Sequence, residues 1–316
     1  MSVVVPVHDG AGYLADTLQA VADQTEPPAE VIVVDDGSRD DSAAIARRVL
    51  PSAQIVQRAV PGGVSDARNA GLALASQPYV CFLDQDDIWH PQHLARQLAA
   101  FARHPDAGAV VCPYFHWYPG PNGYPEPAGL WPLPTPDRED PAFSGWTYHQ
   151  FLLDCWALTS ATMIRRRALD AVGAFDAARP YGEDWELWLR LSRGWPFVML
   201  LGAPVLYRQH QAQGSRRARD VDHRSELLLN AAAEHGLASR DGRAVPPALF
   251  KRTVARYEME FGLHHLRHGD AVIARRALWQ AWQRDRPRWR YLALAAAASA
   301  GWRPRDAVLQ SRAGVT

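Results

Sequence analysis

This chain of 316 residues is poor in cysteine and has no long apolar run. Its three cysteines, Cys81, Cys112 and Cys155, are odd in number and lack the spacing of metal ligands. This excludes a disulfide framework and a cysteine-based metal site, and predicts buried thiols in a reducing compartment. No apolar run approaches the roughly 20 residues that span a bilayer, and no targeting segment is evident. We therefore expect a cytoplasmic protein.

Lysine is almost absent, since Lys251 is the single lysine among 34 basic residues. A GC-rich coding bias explains this better than separate selection of each arginine, and it points to a bacterial source. The 34 acidic residues balance the basic ones, so the formal net charge is zero. This balance gives no indication of nucleic-acid binding, and we expect no nucleic-acid partner.

The first 110 residues alternate apolar runs with helical patterns. Runs of Val, Ile, Leu and Phe are typical of strands that are buried on both faces. The predicted strands are 2–7, 30–34, 54–58, 79–83 and 108–112, and the predicted helices are 12–23, 42–50, 65–75 and 91–104. This order predicts an α/β fold, with a mostly parallel sheet and helices on both faces.

The rest of the chain is less regular. Prolines recur through 113–141, which predicts a long surface loop, either a lid or binding loop or an irregular spacer. Residues 158–164 look like a strand, and 197–201 with 204–207 like a terminal hairpin or strand pair. We divide the chain into a catalytic domain at 1–212 and a helical extension at 213–316.

The helical extension is basic, because residues 243–316 contain 14 Lys plus Arg against 5 Asp plus Glu. Its segment 286–305 combines arginine, tryptophan and a short apolar stretch. Such a segment suits a helix lying on an anionic membrane surface, which predicts peripheral contact with the inner face of the membrane. A helix that packs on the catalytic domain with its arginines exposed fits the same pattern.

Pairs of carboxylates follow two of the predicted strands. Asp35 and Asp36 come after the second strand, and Asp84 and Asp86 after the fourth. Open α/β sheets bind ligands at the carboxyl ends of their strands. Carboxylate oxygens suit Mg²⁺ or Mn²⁺, which share their coordination with phosphate oxygens. The sequence therefore predicts a metal-bridged nucleotide diphosphate at this edge.

Five ordered segments resemble family 2 glycosyltransferases over residues 2 to 210. They are VVVPVHDGAGYLADTLQAVADQ, VIVVDDGSRDDS, SDARNAGLALA, FLDQDD and YGEDWELWLRL. The resemblance implies a GT-A fold of Rossmann-like type, a nucleotide-sugar donor, a divalent metal and inversion at the anomeric carbon. The predicted donor-binding residues are Pro6, Val7, His8, Asp9, Asp35, Asp36, Arg68, Asp84 and Gln85.

Several roles come from the family pattern. Asp36 would accept a hydrogen bond from the base, which favours UDP- or dTDP-sugars, and Asp84 would bind the ribose. Alternatively, Asp36 or Ser38 caps the next helix. Arg68 and the helix amide groups after Gly62 and Gly63 would approach phosphate, unless Arg68 forms a surface ion pair.

The resemblance assigns the metal to Asp86, with His210 as a second ligand. Alternatively, His210 is a solvated histidine in a loop. The alternative for the acidic cluster of Asp84, Asp86 and Asp87 is that Asp87 only caps the next helix. Family position makes Asp184 the general base in preference to Glu183. These two acids would otherwise complement the dipole of a helix.

One of Trp185 and Trp188 is expected to line the sugar or acceptor site and the other to pack in the core. We predict that Trp185 contacts the acceptor. We thus predict an inverting, metal-dependent hexosyltransferase of bacterial surface-glycan assembly that uses a saccharide or lipid-linked acceptor. The alternative is a catalytically silent nucleotide-binding or scaffold protein. A dinucleotide-dependent oxidoreductase is disfavoured, because no G-x-G-x-x-G follows the first strand.

Overall fold

The computed structural model describes two compact units of the chain. The described residues are 1–131, 138–211, 213–214, 219–286, 293–294 and 296. The first unit comprises Met1–Gln211 with Ser239–Arg243, and the remaining residues belong to the second. The predicted division of function between a catalytic domain and an extension stays a prediction.

A mostly parallel sheet of seven strands organises the first unit, in the order β3-β2-β1-β4-β8-β6-β9. The strands of the unit are β1 (Ser2–Val7), β2 (Glu30–Asp35), β3 (Gln54–Gln57), β4 (Tyr79–Phe82), β5 (Ile88–Trp89), β6 (Ala109–Val111), β7 (Tyr114–Trp117), β8 (Thr162–Arg165), β9 (Phe197–Met199) and β10 (Val205–Arg208). Its central strands are apolar and buried, as their composition predicts. The α/β fold class is confirmed.

Helices connect these strands and pack on the sheet. They are α1 (Leu14–Ala22), α2 (Ser42–Val49), α3 (Val64–Leu74), α4 (His93–Arg103), α5 (Tyr148–Phe151), α6 (Arg166–Val172) and α7 (Glu183–Gly194). α3 lies against β1 and β2 so closely that a Cβ at Gly71 would overlap the Val4 side chain. This close approach fixes where α3 begins, beside the carboxyl ends of the strands.

The later strands differ from the prediction. β9 pairs with β6, whereas β10 pairs with β5 and β7 in a separate sheet of three strands, so the predicted hairpin is wrong. The predicted loop 113–141 contains β7, although its residues 132–137 lie outside the described part. β8 runs antiparallel to β4 and β6. Such pairings between distant segments leave no local signal in the sequence.

The second unit is helical, as predicted for residues after 213. Its helices are α8 (His223–His235), α9 (Pro247–His268) and α10 (Ala271–Arg284). α9 and α10 pack together, and Arg284 in α10 forms an ion pair of 2.7 Å with the buried Glu258 in α9. No helix in the described residues is long and apolar enough to span a bilayer. The segment 286–305 lies almost entirely outside the described residues.

Candidate functional site

The ends of β1, β2 and β4 meet at one edge of the large sheet, because β1 pairs in parallel with both of its neighbours. Pro6 and Val7 are buried within β1, whereas His8 and Asp9 just beyond it are exposed. Asp9 has a positive φ of 49° and accepts a hydrogen bond from the Arg39 amide (2.8 Å). Of the four predicted donor contacts in this segment, only His8 and Asp9 therefore face solvent.

Gln85 ties the end of β4 to the end of β1. Its Oε1 accepts from the His8 amide (2.8 Å), and its Nε2 donates to the His8 carbonyl oxygen (3.1 Å). Thr17 donates to the Gln85 carbonyl oxygen (2.8 Å). A Cβ at Gly10 would overlap the Gln85 side chain, so this contact requires glycine there. The Gln85 amide thus holds the site together.

Asp35 and Asp36 are both buried and are bonded within the protein. Asp36 accepts hydrogen bonds from the Gly62 (3.0 Å) and Gly63 (2.7 Å) amides and pairs with Arg58 at 2.8 Å. These amides precede α3, so Asp36 holds the start of α3. Our alternative, in which Asp36 caps the next helix along the chain, α2, is therefore wrong. The amide groups of Gly62 and Gly63, which we expected to approach phosphate, are directed to this carboxylate.

Arg68 joins the two halves of the predicted site. This arginine of α3 is buried and donates to Asp84 Oδ1 (2.7 Å) and to Glu183 Oε1 (2.9 Å). Its guanidinium lies over the ring of Phe175, 5.1 Å from the centroid. The two carboxylates raise its pKa, although burial opposes them. Arg68 is therefore an internal cation between two acids and not a surface ion pair.

Asp184 and Glu183 form the first turn of α7, where the helix dipole also stabilises negative charge. The helix begins after Gly182, whose φ of 72° is in the left-handed region that favours glycine. Burial, followed by the charge of Glu183, raises the pKa of Asp184 to about 7, while Arg68 opposes the shift. Asp184 is thus a carboxyl group that titrates near neutrality, which suits a general base.

The structure brings together the two predicted metal ligands. His210 Nε2 lies 2.8 Å from Asp86 Oδ2, and the imidazole packs against Tyr13 with ring centroids 4.6 Å apart. Burial and the neighbouring Asp84 raise the pKa of Asp86, while His210 lowers it. His210 is therefore directed into the acidic cluster, in contrast to the solvated loop histidine of our alternative.

A buried arginine that the sequence analysis overlooked supports this pair. Arg208, at the end of β10, donates to the Asp86 carbonyl oxygen (2.8 Å), and its amide donates to Asp87 (3.2 Å). Its guanidinium lies 4.2 to 5.0 Å from the ring centroids of Trp117, Tyr124 and Tyr13. Asp87 therefore holds β10, and α4 starts after Gln92 instead. The sequence signal that could have indicated this role is the position of Arg208 two residues before His210.

The residues of the acidic cluster fit a divalent ion. Mg²⁺ and Mn²⁺ are commonly held by one or two carboxylates that share the ion with phosphate oxygens and water. Asp86 supplies a carboxylate of that kind, and His210 would add one nitrogen ligand. Among the residues that the structure describes, no three His, Cys, Asp or Glu side chains form a metal cage by themselves.

Trp185 differs from the prediction. It is buried, and its indole Nε1 donates to the Phe151 carbonyl oxygen (2.7 Å). Trp188 is also buried and donates to Ala157 (3.0 Å). Both indoles pack in the core, because the start of α7 lies over the 151–157 segment. The predicted acceptor wall at Trp185 is therefore corrected to a structural position.

Residues 2–169 match the family model described as glycosyl transferase family 2. The amylovoran biosynthesis glycosyltransferase AmsB of Erwinia amylovora is 27% identical, with 76% of this chain and 79% of that protein aligned. Matches with two other bacterial glycosyltransferases span 40% of those proteins.

Two solved structures share the fold. TarS of S. aureus, in complex with UDP-GlcNAc, is similar with a TM-score of 0.60 and 19% identity, covering 95% of this chain and 87% of that one. The mannosyltransferase PcManGT of Pyrobaculum calidifontis, in complex with GDP-Man and Mn²⁺, has a TM-score of 0.56 and 18% identity, covering 95% and 79%. These likenesses confirm the GT-A fold.

We expect Arg68→Gln to lower the free energy of unfolding by about 3 kcal/mol, because Asp84 and Glu183 lose the cation buried between them. Urea unfolding measures this change. Arg103→Gln is the matched control, since exposed Arg103 pairs with Glu139 at the surface and should change stability by less than about 0.5 kcal/mol. Equal effects of the two substitutions would contradict a structural role for the Arg68 bridge.

Proposed function

The chain belongs to glycosyl transferase family 2, and we propose that it moves a sugar from a nucleotide diphosphate donor to a saccharide or lipid-linked acceptor, with inversion at the anomeric carbon. One observation carries this proposal. Arg68 contacts both Asp84, at the predicted donor and metal end, and Glu183, beside the predicted base. The proposed donor and base residues are thus joined through one side chain.

The donor end is the edge formed by the exposed residues after β1 and by Asp84 after β4. His8 and Asp9 have exposed side chains and are available to a base or ribose. The buried Asp36 supports the same edge by holding the start of α3. The complexes of TarS with UDP-GlcNAc and of PcManGT with GDP-Man support a nucleotide sugar as donor. The family pattern favours UDP- or dTDP-sugars, although the Asp36 carboxylate on which that preference rests is bonded to Arg58 and to the Gly62 and Gly63 amides.

Asp184 is the proposed general base. Inversion requires a carboxylate that takes the proton of the acceptor hydroxyl on the side opposite the departing diphosphate, and such help contributes about 10²- to 10⁴-fold in rate. Glu183 is held by Arg68, whereas Asp184 accepts a hydrogen bond from the Trp185 amide (2.7 Å) through Oδ1. Glu183 then tunes and positions Asp184 without taking the proton itself.

Asp86 and His210 are the proposed holders of Mn²⁺ or Mg²⁺. A bound divalent ion would neutralise the negative charge that develops on the departing diphosphate. Asp86 is kept in place by Arg208, which donates to its carbonyl oxygen. The PcManGT complex with Mn²⁺ supports a metal in this fold.

The cellular setting that we propose is bacterial polysaccharide assembly on the cytoplasmic side of the membrane. AmsB, which aligns over most of both chains, is named for amylovoran biosynthesis. On α10, Val272 and Trp279 are exposed together with Arg275 and Arg276. Spacings of three and four residues put these side chains on one face of the helix. An apolar and basic face supports contact with an anionic bilayer.

The first test is binding and hydrolysis of UDP-, dTDP- and GDP-sugars with and without Mn²⁺. Asp86→Ala should lose metal-dependent donor binding, because it removes the carboxylate ligand. Asp184→Asn should keep donor binding and lose turnover by about 10²-fold or more, because the amide cannot accept the proton. Calorimetry measures binding, and release of the nucleoside diphosphate measures turnover.

His210→Ala separates a metal ligand from a neighbouring histidine, since only a ligand changes the Mn²⁺ concentration needed for half-maximal activity. Asp170→Asn is the control, because this exposed aspartate pairs with Arg166 on α6. Absence of binding to every nucleotide sugar would refute the transferase and favour the silent scaffold.

Activity should depend on the ionisation of Asp184. Because burial and Glu183 raise its pKa to about 7, the group is protonated and inactive below that pH. We expect kcat/KM to fall about tenfold per pH unit below the pKa and to level off above it. Glu183→Gln removes a charge that raises the pKa, so its profile should move to lower pH. A profile that is identical in this variant would exclude Asp184 as the titrating base.

Vesicle sedimentation tests the membrane contact in the full-length chain. The triple variant Arg275→Ser, Arg276→Ser and Trp279→Ser should bind vesicles of phosphatidylglycerol and phosphatidylcholine at least about tenfold more weakly, since each arginine near an anionic surface contributes about 1 kcal/mol. Arg47→Ser with Arg48→Ser removes two adjacent exposed arginines of α2 and serves as the control. Unchanged binding of the triple variant would refute the α10 contact.

A further inference from the structure

Four aromatic side chains form one surface on the small sheet, which we call the ring platform. Tyr114 and His116 lie two residues apart in β7, and Tyr118 follows the strand by one residue. Alternation along a strand puts these three side chains on the same face. Tyr207 of β10 stands opposite His116 in the parallel register and belongs to that face as well.

The rings of the platform are in contact with each other. The centroid of His116 lies 5.7 Å from that of Tyr114, 5.5 Å from that of Tyr207 and 6.1 Å from that of Tyr118. Tyr114 and Tyr207 meet edge to face at 6.0 Å. Tyr118 is 59% exposed and His116 is exposed, whereas Tyr114 and Tyr207 are half-buried. The platform thus has a packed inner end and an open outer end.

The inner end of the platform reaches the candidate base. Burial, followed by the charges of Cys155, Asp154 and Asp184, raises the pKa of the Tyr114 phenol. The 154–157 segment is also bonded to α7, because Trp188 donates to Ala157. Tyr114 is therefore the ring of the platform on the side of Asp184.

We infer that the ring platform of Tyr114, His116, Tyr118 and Tyr207 binds the acceptor saccharide and directs one of its hydroxyls to Asp184. A pyranose ring has an apolar C–H face that packs on aromatic rings, and hydroxyls around its rim. The phenol and imidazole groups offer hydrogen-bonding atoms at the edges of the same rings. This combination suits a sugar better than a lipid chain, because an acyl chain has no groups that hydrogen-bond to the polar edges of the rings. The inference rests on the proposed transferase function.

The control lies on the same strand. Phe115 is 45% exposed and sits between Tyr114 and His116, so alternation directs it to the opposite face of β7. Truncation of Phe115 therefore removes an exposed aromatic ring from the strand without changing the platform. His116 and Tyr118 are the residues to substitute, because their exposure makes their truncation compatible with folding.

The experiment is saturation-transfer NMR on the full-length chain, with irradiation of aromatic protons and with maltotetraose, cellotetraose, mannotetraose and N-acetylchitotetraose as probes. Wild type and Phe115→Ala should both transfer saturation to at least one tetrasaccharide, and the two proteins should bind it with equal affinity. The double variant His116→Ala with Tyr118→Ala should bind that probe about tenfold more weakly, at an unchanged unfolding temperature.

Binding of UDP and GDP is measured in the same samples and should be unchanged in the double variant. Loss of nucleotide binding there would assign the rings to the donor base and overturn the inference. The inference would also be overturned if Phe115→Ala lost tetrasaccharide affinity to the same extent, or if no saturation were transferred to any of the four probes. If nucleotide sugars fail to bind while the tetrasaccharides bind the platform, the transferase proposal fails and the saccharide site stands.

Discussion

The buried bridge from Asp84 through Arg68 to Glu183 is the interaction on which the candidate site depends. It connects the end of β4, the start of α3 and the start of α7, three elements that are distant in the sequence. A guanidinium has a planar fork that serves two carboxylates at once, which an ammonium group does not. Phe175 covers the guanidinium, so water does not compete for its donors. One side chain therefore sets the relative position of the proposed donor-binding and base residues.

This bridge also distributes the negative charge of the site unequally. Glu183 and Asp84 are paired with the arginine, whereas Asp184 and Asp86 keep raised pKa values because burial and neighbouring acids oppose their ionisation. A carboxyl group with a pKa near 7 accepts a proton readily at neutral pH. We assign the proton and the metal to the two acids with raised pKa values, Asp184 and Asp86, and the acids paired with Arg68 hold them in position.

The sequence predicted the elements whose signals are local. Apolar runs predicted five of the first six strands to within two residues and missed the two-residue β5, and the ordered motifs indicated which strand ends carry acids. It did not reveal that Asp36 holds the start of α3, that Trp185 packs in the core, or that Arg208 supports Asp86. Each of these depends on a contact between segments far apart in the chain, and a single sequence has no signal for such a contact. The same reason explains the wrong hairpin at 197–207.

β10 is the element that relates the proposed metal, donor and acceptor functions. Arg208 at its end holds the loop of Asp86, His210 follows two residues later, and Tyr207 belongs to the ring platform beside His116 of β7. Successive residues of a strand point to opposite faces, so Arg208 and Tyr207 serve opposite sides of the small sheet. A shift of β10 by one residue would exchange these faces and move His210, the proposed second metal ligand, away from Asp86. The parallel pairing with β7 fixes this register. The short strand β7, within the predicted loop 113–141, therefore has a role in positioning the site.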